Sequence, residues 1–218
     1  MGELQTLWFL TSNTGKLEEA QQILGPLGYQ ISQLKIDGQV PDIIEPQAEW
    51  IEDVAMDKSR QAREILSSLG RGDEPVLVED AGLFVDALNG FPGVYSSYVL
   101  KTIGTSGLLR LMEGLENRVA YFQAVAVLWD GKRTNYGNGK CPGRISTVES
   151  EGNGFGFDPI FIPDDLDEEG NYLPHGQRGI TSTDGITFGG VDMSVKQKFS
   201  HRRRALDALL ETIDTPSA

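Results

Sequence analysis

The sequence predicts an α/β protein with a mixed β-sheet. Apolar runs of strand length alternate along the chain with stretches in which apolar residues recur at helical spacing. The chain has 218 residues, of which 39% are hydrophobic, 8% aromatic and 23% charged. These values exclude a wholly disordered or low-complexity chain, and they suit a single domain over residues 1–218 with a substantial core.

The first half of the chain predicts two strands, each associated with a helix. Residues 7–10 form a short apolar run, and apolar residues at helical spacing follow between 17 and 27. Residues 50–65 show the same helical spacing and lead into the buried strand 75–78. This alternation is typical of a sheet covered by helices.

The second half predicts a hairpin and a closing helix. Residues 120–129 suit a strand that turns at Asp130 and Gly131 into a more polar strand. A helix is expected over 105–115, and another from 195 to 210.

An aperiodic stretch rich in Asp, Gly, Ser and Thr follows the short apolar run 160–162. It is too long for a routine connection between two elements. We interpret residues 164–190 as a lid or a mobile insertion.

Charge and cysteine content exclude several kinds of partner. Nineteen basic residues against 32 acidic ones give a net charge of −13, so we expect neither a nucleic-acid partner nor a membrane partner. Cys141 is the single cysteine, which precludes an internal disulfide. Together with an amino end unlike a signal peptide and the lack of a long apolar run, this predicts a cytoplasmic protein.

Two polar motifs follow the first two predicted strands. The stretch from Thr11 to Lys16 joins a strand to a helix, where free backbone N–H groups and a lysine favour an anion. The plainer alternative is a helix start capped by Ser12 or Thr14.

The second motif is an acidic pair. Glu79 and Asp80 follow a buried strand at the edge where α/β sheets bind ligands, so one acid suits Mg²⁺ and the other a water molecule. Because neighbouring strand residues point in opposite directions, both acids serve one site only if the strand ends there and Ala81 and Gly82 turn the chain. The alternative is a pair of turn acids that cap a helix.

Two further motifs lie near the carboxyl end. In the glycine-rich stretch 152–159, Phe155 and Phe157 offer rings on which a purine could stack, although core packing explains most such aromatics. In the later motif, His201 and Arg202 could donate hydrogen bonds to a carbonyl oxygen or a phosphate, or form a solvated helix face. We interpret His175, within the insertion, as a surface histidine.

Taken in order, these motifs resemble those of the inosine triphosphate pyrophosphatase family, the dITP/XTP pyrophosphatases. The segments that carry the resemblance are 11–16, 78–98, 154–161 and 196–202. The resemblance implies a two-lobed α/β fold around an elongated, twisted mixed sheet with a central active-site cleft. It also implies a homodimer, and Mg²⁺-dependent hydrolysis of inosine and xanthosine triphosphates to the monophosphate and pyrophosphate.

The resemblance also assigns roles to individual residues. Asp80 is expected to act on water, and Glu45, Glu79 and Asp80 to bind the metal. The residues expected to bind the nucleoside triphosphate are Thr11, Ser12, Asn13, Lys16, Ala81, Phe155, Asp158, Lys196, His201 and Arg202.

The chain departs from the family pattern at a few places. Gln197 stands where the family has asparagine, Ala81 and Gly82 replace a serine-glycine pair, and the segment before Lys196 is longer. Two alternatives therefore stay open: a purine-nucleotide sensor with weak catalysis, and a pyrophosphatase for other modified nucleotides.

Overall fold

The structure is a computed structural model that describes residues 5–152 and 154–213. Asn153 of the glycine-rich stretch therefore lies outside the described residues. The strands are β1 (Gln5–Phe9), β2 (Tyr29–Gln33), β3 (Val76–Val85), β4 (Val119–Trp129), β5 (Thr134–Ile145) and β6 (Phe161–Pro163). The α-helices are α1 (Thr14–Leu24), α2 (Ile51–Ser68), α3 (Ser96–Thr102), α4 (Gly104–Leu111), α5 (Met193–Lys196) and α6 (His201–Thr212).

The six strands form a mixed sheet in the order β2-β1-β3-β4-β5-β6. Strand β1 lies parallel to both β2 and β3, with Leu7 opposite Ile31 and Trp8 opposite Val76. Strands β5 and β6 are antiparallel. The predicted α/β class with a mixed sheet is confirmed, as is the turn at Gly131, which has a φ of 96°. Within the described ranges, no helix is long and apolar enough to span a membrane.

The chain divides into two compact units. The first takes in the chain up to Asp80, Ala124–Gly139 and the chain from Arg202 onward, and the second takes in Ala81–Gln123 and Lys140–His201. That residues 1–218 act as one pyrophosphatase domain, with a lid at 164–190, stays a prediction.

In the first unit, helices α2 and α6 bury their apolar faces. Val54 and Ala62 on α2 are almost fully buried, as the predicted helical spacing requires, and Leu66 is buried beside them, whereas Trp50 of the predicted pattern is the exposed N-cap. Helix α6 packs directly on β5, because a Cβ atom at Gly137 would lie 2.2 Å from the carbonyl oxygen of Ala205. Only glycine fits at this contact.

In the second unit, an aromatic cluster forms the centre of the core. The ring of Phe161 lies 4.6 Å from that of Phe122 and 5.3 Å from that of Phe188, measured between centroids. Phe188 and Leu166 lie near the two ends of the 164–190 segment, and both belong to this core. Burial of these side chains anchors both ends of the segment.

Strand β3 differs from its predicted extent. The strand was predicted to end at the acidic pair but continues to Val85, so the condition that Ala81 and Gly82 turn the chain is not met. The reason is packing: Leu83 and Val85 are fully buried. Gly82 also passes so close to another segment that a Cβ atom there would lie 2.4 Å from the carbonyl oxygen of Gly93.

The predicted closing helix is also interrupted. Helix α5 and a short 3-10 turn end before Ser200, whose φ of −61° and ψ of 116° are extended, and α6 begins at His201. The predicted continuous helix over 195–210 was therefore wrong, because its apolar periodicity carries no signal for this break.

We expect Gly137→Ala to destabilise the protein by about 1–3 kcal/mol, since the added methyl group overpacks the contact between β5 and α6. Urea denaturation followed by circular dichroism measures the free energy of unfolding. Tyr136→Thr is the matched control, because Tyr136 is exposed on the same strand. Equal stability of the Gly137→Ala variant and the parent would contradict the contact.

Candidate functional site

The loop between β1 and α1 places Lys16 against strand β3. Asn13 is the N-cap of α1, and its side-chain oxygen accepts a hydrogen bond from the Lys16 N–H at 3.2 Å. Thr11 in turn accepts a hydrogen bond from the Asn13 N–H through its hydroxyl oxygen. The cap is thus Asn13 and not Ser12 or Thr14. The Lys16 ammonium group donates to the Glu79 carbonyl oxygen and pairs with the Glu79 carboxylate, at 3.2 Å in each case.

Glu79 is buried and also binds Arg202. The Nε atom of Arg202 donates to the Glu79 carboxylate at 2.9 Å, and its Nη1 atom donates to Glu19 at 2.6 Å. Burial opposes the charge on Arg202, but the two carboxylates outweigh it and raise the pKa of its guanidinium. Arg202 is therefore a fixed cation held between α1 and β3.

Asp80 has a different set of partners. The Lys58 ammonium group lies 2.6 Å from Asp80 Oδ1 and 2.6 Å from Glu45 Oε1. Burial raises the pKa of Asp80 above its usual value, although Lys58 and Lys16 partly oppose that shift. Burial by itself would lower the pKa of Lys58, but Asp80 and Glu45 raise it.

Lys58 and Glu19 belong to this group but are not among the site residues predicted from the sequence. Lys58 lies on the apolar face of α2, four residues from Val54 and from Ala62. A charged residue in a buried stripe requires a partner, and this was the available signal. Glu19 follows Lys16 by three residues, which places both on one face of α1.

We call these seven residues the β3 ion-pair network: Lys16, Glu19, Glu45, Lys58, Glu79, Asp80 and Arg202. All of them belong to the first unit. Glu45 and Asp80 both direct a carboxylate oxygen at the Lys58 ammonium group. Carboxylate oxygens are also the ligands that Mg²⁺ prefers. Glu79 is instead engaged by two basic side chains. Among the described residues, no group of three or more His, Cys, Asp or Glu side chains is arranged to hold a metal.

The second unit holds a separate group around Asp158. This buried carboxylate accepts a hydrogen bond from the Phe155 N–H at 3.0 Å and pairs with the Lys196 ammonium group at 2.6 Å. The same ammonium group lies 4.3 Å from the centroid of the Phe155 ring. Phe155 is 44% exposed whereas Phe157 is 4% exposed. The core interpretation thus holds for Phe157, and Phe155 presents a ring to solvent.

The remaining predicted residues of the second unit are His201 and Ala81. The buried His201 ring stacks on Phe122, with centroids 4.9 Å apart and an angle of 11° between the planes. Ala81 is half-buried in β3.

In the glycine-rich stretch 152–159, a Cβ atom at Gly154 would lie 2.7 Å from Gly189 Cα. This glycine therefore serves close packing of the chain on itself.

The structure thus assembles the predicted residues in two sets. Thr11, Ser12 and Asn13 lie in the loop that precedes α1, beside the β3 ion-pair network. Ala81, Phe155, Asp158, Lys196 and His201 belong to the second unit. Their roles toward a nucleotide stay predictions, and this includes the contact of His201 and Arg202 with a purine oxygen.

Comparison with known proteins gives a consistent result. The model of the Ham1 family matches residues 7–212. A curated dITP/XTP pyrophosphatase of Thermococcus kodakarensis is 41% identical over 200 residues, which are 92% of each chain. The dITP/XTP pyrophosphatase of Pyrococcus horikoshii is 40% identical over 206 residues, 94% of this chain and 95% of that one.

Solved structures of Ham1 proteins have a similar fold. The Ham1 protein of Staphylococcus aureus superposes with a TM-score of 0.72 at 25% identity, covering 95% of this chain and 97% of that one. A HAM1 protein from Coxiella burnetii superposes with a TM-score of 0.71 at 27% identity, covering 93% and 95%.

We expect Arg202→Met to destabilise the protein by about 3–5 kcal/mol. The carboxylates of Glu19 and Glu79 would lose the buried cation that they share. Arg203→Met is the matched control, since the Arg203 side chain is 61% exposed, and its effect should stay within about 0.5 kcal/mol. Thermal and urea denaturation measure both. Similar losses of stability in the two variants would contradict the network.

Proposed function

Because this chain belongs to the Ham1 family, we propose that it hydrolyses inosine and xanthosine triphosphates, in ribose and deoxyribose forms, to the monophosphate and pyrophosphate. Relatives that carry the name dITP/XTP pyrophosphatase are about two-fifths identical over nearly the whole chain. The observation that carries the proposal is the β3 ion-pair network, in which residues of the resembling motifs hold one another in place. In the cell, this reaction removes deaminated purines from the nucleotide pool.

The first unit supplies the residues proposed for the phosphates. Attack of water on a triphosphate brings together groups that are already negative, so an enzyme must neutralise charge and align the nucleophile. Lys16 is a cation at the beginning of α1, where free backbone N–H groups also favour an anion. We assign the phosphate chain to Lys16 and to the loop from Thr11 to Asn13.

Asp80 is the proposed general base. Burial raises its pKa, which brings the carboxylate closer to the basicity that accepts a proton near neutral pH. Lys58, at 2.6 Å, holds the carboxylate in one orientation. Asp80 would therefore take or orient the proton of the attacking water.

A divalent cation is part of the proposal. Glu45 and Asp80 offer the hard oxygen ligands that Mg²⁺ takes together with phosphate oxygens and water, and Glu79 is the third acid that the family resemblance implies. When bound, the ion would offset the charge of the triphosphate.

The second unit supplies the residues proposed for the base. Phe155 presents a ring for stacking, and Lys196 and Asp158 hold that segment in place. Hypoxanthine and xanthine carry an acceptor oxygen at position 6, where adenine carries an amino donor. Donors from His201 and Arg202 would pair with the first two bases and oppose adenine.

The resemblance also supports a homodimer in the cytoplasm. Cys141, the single cysteine, is fully buried, so the chain needs no oxidising compartment for its fold. Sedimentation of the purified protein gives its oligomeric state.

The deciding experiment is a substrate panel with the purified protein. With Mg²⁺, we expect pyrophosphate release from ITP, dITP and XTP, with kcat/KM at least about 10²-fold above that for ATP. A chelator should abolish the release, and added Mg²⁺ should restore it. Release of orthophosphate, or equal use of ATP, would refute the proposal.

We expect Asp80→Asn to lower kcat by about 10²- to 10⁴-fold, since the amide cannot accept a proton. Asp86→Asn, in the exposed turn after β3, is the control and should keep the activity of the parent. Circular dichroism checks that both variants fold. An Asp80→Asn variant that binds ITP and turns over at the rate of the parent would favour the sensor alternative.

A further inference from the structure

A cavity of about 250 Å³ lies in the second unit, against the 164–190 segment. Its lining includes Arg144, Asp164, Asp165, His175, Arg178 and Ser182. None of these residues belongs to the site proposed above. Pockets for drug-sized ligands begin at about 300 Å³, and liquid water takes about 30 Å³ per molecule, so this cavity suits a small ion with a few waters and not a nucleotide.

Arg144 contributes an unused cation to the cavity. It lies on β5 opposite Ile162 of β6 and is half-buried. Its Nη2 atom reaches the segment, because a Cβ atom at Gly185 would lie 3.6 Å from it. In the part of the chain that the structure describes, its guanidinium forms no hydrogen bond or ion pair. By contrast, the buried ammonium groups of Lys58 and Lys196 are both paired with carboxylates.

The two carboxylates in the cavity lining, Asp164 and Asp165, already have hydrogen-bond partners for some of their oxygens. Asp165 accepts hydrogen bonds from the Gly179 N–H at 3.0 Å and from the Ser182 hydroxyl at 2.7 Å, so both of its oxygens are occupied. Asp164 is 6% exposed, and one of its oxygens lies 2.8 Å from His175 Nδ1. This contact orients the imidazole and leaves its Nε2 atom for another partner.

Together these groups set the chemistry of a ligand. Arg144 offers donors that require acceptor oxygens, and a guanidinium fork matches the oxygens of phosphate. Arg178, at the same cavity, is a second guanidinium and pairs with Asp184. Asp164 lies in the same lining and can accept a hydrogen bond but cannot donate one when ionised. The ligand must therefore be an oxyanion that also carries a proton.

We propose that this cavity binds a hydrogen phosphate group, either as inorganic phosphate or as a small phosphate monoester. The unprotonated oxygens accept hydrogen bonds from Arg144, and the P–O–H group of inorganic phosphate, or of a singly ionised ester, donates to Asp164. Sulfate has the same shape but carries no proton at neutral pH, so Asp164 repels it. The site is independent of the proposed pyrophosphatase reaction.

Isothermal titration of the full chain at constant ionic strength tests the proposal, with inorganic phosphate, sulfate and methyl phosphate as probes. We expect one saturable phosphate site per chain, at least tenfold tighter than sulfate. Arg144→Gln should weaken phosphate binding at least tenfold. Arg110→Gln, on the exposed side of α4 in the same unit, should leave it within twofold.

Two further variants secure the interpretation. Arg144→Lys keeps the positive charge if the glutamine variant is unstable, and it should still weaken binding because the fork is lost. Asp164→Asn should remove the preference for phosphate over sulfate. Methyl phosphate that binds as tightly as inorganic phosphate shows that the site also admits a monoester. Equal binding of sulfate by the parent, or phosphate binding that does not depend on Arg144, overturns the proposal.

Discussion

The pairing of two adjacent carboxylates on β3 with cations from other elements is the constraint on which the first unit depends. Neighbouring side chains of a strand point in opposite directions, and an unpaired buried carboxylate costs several kcal/mol. Glu79 is therefore met by Lys16 and Arg202, while Asp80 is met by Lys58. These cations come from α1, α6 and α2, so one pair of acids ties three helices to one strand. The same pairs that hold the helices in place also orient the groups proposed for catalysis.

The sequence predicted the elements well where local patterning determines them. The mixed sheet, the hairpin turn at Gly131 and the helices that cover the sheet all follow from periodicity and turn residues. Prediction from the sequence failed where tertiary contacts determine the extent of an element. Strand β3 continues past Asp80 because Leu83 and Val85 are buried, and no local signal reports that burial. The break at Ser200 likewise lies within a continuous helical pattern.

The residues of the candidate site could be predicted only where a local sequence motif identifies them. The lysine loop follows the end of β1, and the acidic pair follows a short apolar run in the sequence, so both motifs can be identified without knowledge of the fold, although β3 continues past the pair. Lys58 is 22 residues from Asp80 in the chain, and only its position on the apolar face of α2 indicates a buried partner. Phe155 and Phe157 are two residues apart and equal by composition, yet one is exposed and the other is in the core. A tight turn at Gly156, with a φ of 67°, separates them, and motif spacing does not reveal its direction.

Charge balance gives the strongest physical reason to expect a divalent cation. The β3 ion-pair network contains three basic side chains and four carboxylates, and the whole chain carries a net charge of −13. The network is therefore slightly negative before any substrate arrives. Because Glu19 and Glu79 both bind Arg202, its guanidinium is largely neutralised, and Lys58 is shared between two acids. Lys16 alone cannot offset a triphosphate. A divalent cation would reduce this imbalance, and Glu45 and Asp80, which share the Lys58 ammonium group, are the carboxylates proposed to hold it.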